Sequence, residues 1–244
     1  YVYVPASYAS DTPANVLYLT HGWWGNAAGL ADGVAPVVDE LESTGKAAPT
    51  LVVFATYYPD RSFATDDYEE DYTLNRFFAT SEIDTLIDTV ESHYTTFTHG
   101  DTSDQSLRAS RKHRAFGGFS MGATTTWDVF ALRPQYFYGY MPMAGESWIG
   151  REEDADSPRI AELVTAGVTR AHYGPRDFLI LASVGSEDPA LWDMTPQIDE
   201  LREDYPDVMT EDSLQLWIDD GETHSMTSIA NQVEHNLPLL FPGK

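Results

Sequence analysis

The sequence predicts a single α/β domain, a mostly parallel central sheet with helices on both faces. Three observations carry that reading. Apolar runs of strand length recur along the chain, helical patterns lie between them, and 244 residues suffice for one large core but are few for two. Hydrophobic residues at 42% and charged residues at 22% match ordinary soluble globular proteins, which excludes disordered and fibrous classes.

The elements follow in order. Tyr1-Val2-Tyr3-Val4-Pro5 reads as a strand, so residues 1–244 are expected to be one mature or excised domain. Asn15 to Thr20 is the first clear buried strand and Thr50 to Ala55 the second, each ending in a loop of Gly, Pro or polar residues. Ile83, Leu86, Ile87 and Val90 fall at helical spacing, with acidic residues on the other face up to Tyr94. The polar stretch Asp101 to Lys112 reads as an exposed loop. His113 to Phe119 is a strand meeting a tight turn, and a helix from Met121 to about Leu132 is stopped by Pro134. Tyr138 to Ala144, Phe178 to Val184 and Ser213 to Ile218 are further strands; Ile198, Leu201 and Arg202 suggest a helix between the last two. Sheets of this kind bind ligands beyond the carboxyl ends of their strands. The loops that follow the strands are therefore where chemistry is expected.

Composition narrows the partners. With 39 acidic and 14 basic residues the formal charge is −25, a field that repels nucleic acid and anionic lipid. That charge reads as a solubilising surface. No apolar run approaches the roughly 18 residues of a spanning helix, so neither nucleic acid nor membrane is expected as a partner. The chain has no cysteine, which removes disulfides, thiolate metal sites and cysteine nucleophiles. The acidic tract Asp60 to Asp71 lacks the glycine and ligand spacing of a calcium loop and reads as a solvated face, and no metal site is expected.

One motif carries chemistry. Gly118-Phe119-Ser120-Met121-Gly122 has the pattern G-x-S-x-G and lies between a predicted strand and a predicted helix, the context in which the pattern marks a nucleophile. A serine on so sharp a turn adopts a strained backbone, and glycine is needed on either side to avoid collision. The helix that follows aims its amides at a developing oxyanion.

A serine hydroxyl needs a base, usually histidine. Of seven histidines, His93, His99, His113 and His172 lie on helices, a polar loop or a strand start, and His235 sits on the last helical segment. His224 falls in the loop just after the final strand, where the chain order Ser, acid, His puts the base. The acid is expected from the preceding strand-end loop, Val184-Gly185-Ser186-Glu187-Asp188-Pro189, with Asp188 favoured and Glu187 retained. His21-Gly22-Trp23-Trp24-Gly25 follows the first clear strand; the amides of Trp23 and Met121 are the expected oxyanion donors, and His21 is expected to bond locally and shape that loop.

These segments resemble the esterase D-like branch of the α/β-hydrolases, and within it the feruloyl and acetylxylan esterases of carbohydrate esterase family 1. Leu17 to Gly22 is similar to that family's first strand and oxyanion loop, Val90 to Tyr94 to the end of the helix before the elbow, and His113 to Gly122 to its nucleophile region. Ser183 to Asp188 resembles the acid loop, whose last residue carries the carboxylate, and Gly221 to His224 the histidine loop. Three departures stand out: bulky Trp23-Trp24 where small residues are common, the polar insert around residues 100–110, and Ala123 where a second glycine is common.

The resemblance implies an α/β-hydrolase fold and cofactor-free acyl transfer on hydroxycinnamate esters of xylan, with acetylated xylan and its oligosaccharides as an alternative substrate. It also implies a secreted protein that can be flanked by a carbohydrate-binding module. Thioester hydrolysis of the S-formylglutathione type and non-catalytic carbohydrate binding are more distant alternatives. Trp24, Trp148 and Trp192 are the expected substrate contacts, flanking an aromatic acyl group or stacking on a sugar face.

Overall fold

The computed structural model describes residues 1–151 and 155–243. Among these residues seven strands form one sheet in the order β1-β3-β2-β4-β5-β6-β7, and every neighbouring pair is parallel except β1 with β3. They are β1 (Val2–Tyr3), β2 (Asn15–Thr20), β3 (Thr50–Ala55), β4 (Arg114–Phe119), β5 (Gly139–Met143), β6 (Leu179–Gly185) and β7 (Leu214–Asp219). β2, β3, β4 and β5 are buried along their whole length, as the unbroken apolar runs require.

Among the described residues eight α-helices flank the sheet: α1 (Ala27–Ser43), α2 (Tyr72–Phe77), α3 (Ile83–Glu91), α4 (Asp104–Ala109), α5 (Met121–Leu132), α6 (Ser157–Arg170), α7 (Leu191–Asp204) and α8 (Met226–Leu240). The chain runs from β2 through α1 outward to β3, then reverses and proceeds from β4 through α5, α6 and α7 to β7. Right-handed crossovers therefore put α1 on one face and α5 to α7 on the other. α8 returns to pack on α1, while α5 packs on α6 and α2. This is the two-sided α/β sheet read from the sequence. The direction of winding changes between β2 and β4, and that switch point is where such sheets carry their sites.

Several local readings are corrected. Asp101 to Lys112 is not a loop: Ser103 caps α4 by accepting from the Ser106 amide, and a 3₁₀ turn, Arg111–His113, leads into β4. α4 buries only Leu107, so no apolar period announced it. The helix expected up to Tyr94 ends at Glu91 and is preceded by a π-helical turn, Phe78–Glu82, and by α2. Glu91 is also not on a solvated face. It is buried and receives the guanidinium of Arg114 (Nη2 to Oε2, 2.8 Å) and the hydroxyl of Tyr18 (3.1 Å), joining α3 to the start of β4. A buried pair of this kind survives because each charge has a partner; removing either would leave the other stranded.

Candidate active site

Ser120 sits between the end of β4 and the start of α5 with φ 58° and ψ −119°, a conformation that L-residues rarely adopt. Its amide donates to Met143 O at the end of β5 (2.8 Å). The flanking glycines are required by space. A Cβ on Gly118 would lie 2.3 Å from Gly122 O, and one on Gly122 would lie 2.5 Å from Thr20 O. Gly22 packs the preceding loop against the elbow, where a Cβ would approach the Ser120 Cβ to 3.1 Å. Trp24 and Ala144 join Ser120 in having positive φ, at 59° and 51°, so backbone strain gathers at this end of the sheet.

Of the two adjacent carboxylates, Asp188 is the one that meets the histidine. Asp188 is buried and its carboxylate faces His224 Nδ1 at 2.8 Å and 3.0 Å, while Glu187 is exposed. The Ala190 amide also donates to Asp188 Oδ1 (2.9 Å), fixing the carboxylate in place. The two loops after β6 and β7 are zipped together: Ser186 N donates to Asp219 O, Glu187 N to Glu222 O, and Gly221 N to Ser186 Oγ. A Cβ on Gly185 would meet Glu222 O at 2.2 Å, so this close approach depends on glycine. Asp188 can thus hold the Nδ1–H tautomer and balance an imidazolium. His224 packs on Phe119 and lines a cavity together with Ser120; no hydrogen bond joins Ser120 Oγ to His224 in this arrangement. Such bonds often tighten only when substrate is seated.

The loop after β2 supplies the other wall. His21 is buried, its Nδ1 facing Gly22 O (2.8 Å) and its Nε2 facing the Thr56 hydroxyl (2.7 Å), while Tyr57 donates to His21 O (3.1 Å). His21 therefore shapes the loop. Among the described residues, neither the Trp23 amide nor the Met121 amide donates to a protein group. Both residues line the cavity with Ser120, and Met121 opens α5, whose N-terminal dipole favours negative charge.

That cavity has a volume of about 430 Å³ and a distinctly aromatic wall. Trp148 is buried beside it, its indole Nε1 donating to Glu146 Oε1 (2.5 Å) and the Arg151 guanidinium lying 4.0 Å over its ring. Tyr68 bridges the wall, with its ring centroid 5.7 Å from Trp23 and 5.6 Å from Trp148. Arg151 pairs with Glu69 (3.1 Å) and Glu146 (3.3 Å) and so ties the acidic segment to the cavity rim. Trp24 packs edge-on against Trp23 and lies outside the cavity wall; Trp192 is 78% exposed and lines a neighbouring cavity reached past Glu146 and Asp193.

Sequence reasoning missed Tyr68 of the cavity wall and two buried supports behind it. The tract Asp60 to Asp71 is more than a solvated face, because its last residue is buried: Asp71 accepts from Trp23 Nε1 (3.2 Å), Tyr58 Oη (2.5 Å) and the Thr65 amide (3.1 Å). Asn75 is buried too, donating to Met121 O (3.0 Å) and Thr125 Oγ1 (2.7 Å), which pins the first turn of α5. A carboxylate or amide in a polar stretch gives no periodic signal of burial. Among the described residues no group of three or more His, Asp or Glu side chains could hold a metal ion.

The arrangement can thus raise a nucleophile, its base and acid, and two amide donors around one aromatic cavity. Known proteins resemble the chain over nearly its whole length. The chain is 29% identical over 247 residues, covering 98% of itself and 21% of the relative, to endo-1,4-beta-xylanase Y of Acetivibrio thermocellus. It spans about a fifth of the length of the curated relatives it matches. Among solved structures, a mutant of the feruloyl esterase module from Clostridium thermocellum in complex with sinapinate superposes with a TM-score of 0.84, at 28% identity, over 99% of this chain and 82% of that one. A ferulic acid esterase of carbohydrate esterase family 1 from Anaeromyces mucronatus shares the fold at a TM-score of 0.72 and 19% identity, over 99% of this chain and 84% of that one. No family model matches the chain.

Proposed function

We propose that this chain, a serine-type carboxylesterase related to the feruloyl esterases of carbohydrate esterase family 1, releases hydroxycinnamates such as ferulate and p-coumarate from plant cell-wall arabinoxylan. The observation that carries the reading is the aromatic cavity of Trp23, Tyr68 and Trp148 opening directly onto Ser120 beside His224. A planar phenolic acyl group fits such walls by offset or edge-to-face packing. An acetyl group would leave most of the cavity unfilled. An insoluble wall polymer as substrate implies that the protein works outside the cell.

In the proposed cycle Ser120 Oγ adds to the ester carbonyl as its proton passes to His224 Nε2. Asp188 holds the opposite ring nitrogen and meets the positive charge that forms. The Trp23 and Met121 amides donate to the oxyanion, each such donor contributing about 3–4 kcal/mol. His224 returns the proton to the departing sugar hydroxyl. Water, activated by the same histidine, then attacks the acyl-enzyme, releasing the acid and restoring Ser120.

The test is turnover of methyl ferulate against acetylated xylan by the purified chain. Ferulate release at least tenfold above deacetylation is expected; brisk deacetylation with no ferulate release would overturn the reading.

A further inference from the structure

A second cavity, of about 330 Å³, meets the aromatic one at Trp23, Ser120 and His224, so that the nucleophile and its base form the wall between them. An ester has two substituents on its reacting carbonyl system, the acyl chain and the alkoxy group. With Ser120 attacking from the dividing wall, one substituent faces each cavity.

The two cavities differ in chemistry. The first carries Trp148, Tyr68, Glu146 and Arg151. The second carries no Asp, Glu, Lys or Arg; beyond the shared residues its surface is made by apolar Leu30, Phe119, Met226 and Ile229, by Asn26 and Gly29 at the start of α1, and by His21, Gly22 and Gly25 of the loop after β2. Asn26 caps α1, its Oδ1 accepting from the Gly29 amide (2.8 Å), which leaves its NH₂ to donate outward. Gly29 keeps the space open. A Cβ there meets nothing closer than Asn26 Oδ1 at 3.6 Å, and the position is ordinary helix.

We propose that this second cavity is the binding site for the alcohol half of the substrate, a neutral pentose ring. The proposal rests on the ester-hydrolase reading above and extends it to the leaving group. A sugar ring offers an apolar C–H face to Leu30, Met226 and Ile229 and a hydroxyl edge to the Asn26 amide. Its volume lies at the small end of the range for ligand sites, about 300–1,000 Å³. His224 lines the cavity and so stands where the departing hydroxyl must be protonated. The uncharged wall offers no cation to an anionic leaving group such as glutathione.

The experiment compares methyl ferulate with a feruloyl ester of a pentose, for the unaltered chain and for Gly29→Leu, with Gly29→Ala as the conservative control and circular dichroism as the check on folding. The unaltered chain is expected to favour the pentose ester in kcat/KM by tenfold or more. Gly29→Leu is expected to abolish that preference while holding methyl ferulate within about twofold, and Gly29→Ala to fall between. An unchanged preference in a folded Gly29→Leu, or equal treatment of the two esters by the unaltered chain, would overturn the proposal. Equal loss on both esters would also overturn it, because the acyl group common to both would then occupy this cavity. If the unaltered chain cleaved neither feruloyl ester but hydrolysed acetylated pentose, the acyl reading would fail instead. The same Gly29→Leu comparison between methyl acetate and acetylated pentose would then test the cavity independently.

Discussion

The proposed reacting residues and the aromatic wall of the cavity are built in opposite ways. Ser120, Asp188 and His224 each lie within a few residues of a strand end, and their positions are set by local backbone: a turn flanked by glycines, a carboxylate bound to a nearby amide, two loops zipped by main-chain bonds. The aromatic wall is set by side chains meeting from remote parts of the chain. Trp23 reaches Asp71 across 48 residues and Arg151 reaches Glu69 across 82. Chemistry thus rests on the rigid sheet, while the selective surface rests on contacts that substitution can change singly. This division allows one fold to keep its reaction and alter its substrate.

The largest expected effect separates the two carboxylates of the acid loop. Asp188→Asn is expected to lower kcat on methyl ferulate by about 10⁴-fold, as loss of the orienting acid does in serine triads. Glu187→Gln, altering an exposed neighbour, is expected to stay within about twofold. Steady-state kinetics on both variants checks the pair, and reversed behaviour would reassign the acid.

Asp71→Asn strikes the wall at its anchor. The introduced amide cannot accept from all three donors, so Trp23 and the segment above it should loosen. Loss of a buried charged hydrogen-bond acceptor costs about 1–3 kcal/mol, which in a chain of this length lowers Tm by about 2–4 °C per kcal/mol. Calorimetry should show that loss, together with a fall in kcat/KM of about tenfold.

Tyr68→Ala is milder and more selective. An aromatic pair contributes about 0.5–1.5 kcal/mol beyond burial, so kcat/KM for methyl ferulate should fall about three- to tenfold. Turnover of an acetyl ester, which does not reach Tyr68, should be unchanged. A proportionate loss on both esters would place Tyr68 in the reacting machinery instead and erase the division drawn here.

The smallest effect lies beneath both regions. Asp128, buried on α5, accepts from Tyr72 (3.1 Å) and lies 3.5 Å from Arg76; burial pushes its carboxyl up to about 7. Because the folded value exceeds the unfolded value of about 3.9, the stability it contributes is full below about pH 4 and is lost as pH rises through 7. Asp128→Asn keeps the acceptor for Tyr72 and removes that dependence. Tm should therefore rise by a few degrees at pH 8 relative to the unaltered chain and change little at pH 4, with activity near unchanged.

The same division explains how much could be read in advance. Strand runs and the elbow motif are local patterns, so the sheet, Ser120 and the order of Asp188 and His224 were legible. The choice between Glu187 and Asp188 was not closed by the sequence, since adjacent carboxylates differ only in which way the backbone turns them. Tyr68, Asp71 and Asn75 were illegible for a different reason: each is a polar or aromatic residue in a stretch without periodicity, given its role by a partner far along the chain. α2 buries only Tyr72 and Asn75, and α4 only Leu107, too few apolar positions to register as helical stripes.

Rapid quenching of the enzyme with methyl ferulate, followed by mass analysis of its peptides, tests the central claim most directly. A feruloyl adduct confined to the peptide that contains Ser120, appearing in the burst before steady state and absent from Ser120→Ala, is the predicted result. Sustained ferulate release by a folded Ser120→Ala chain, or an adduct on another residue, would contradict it.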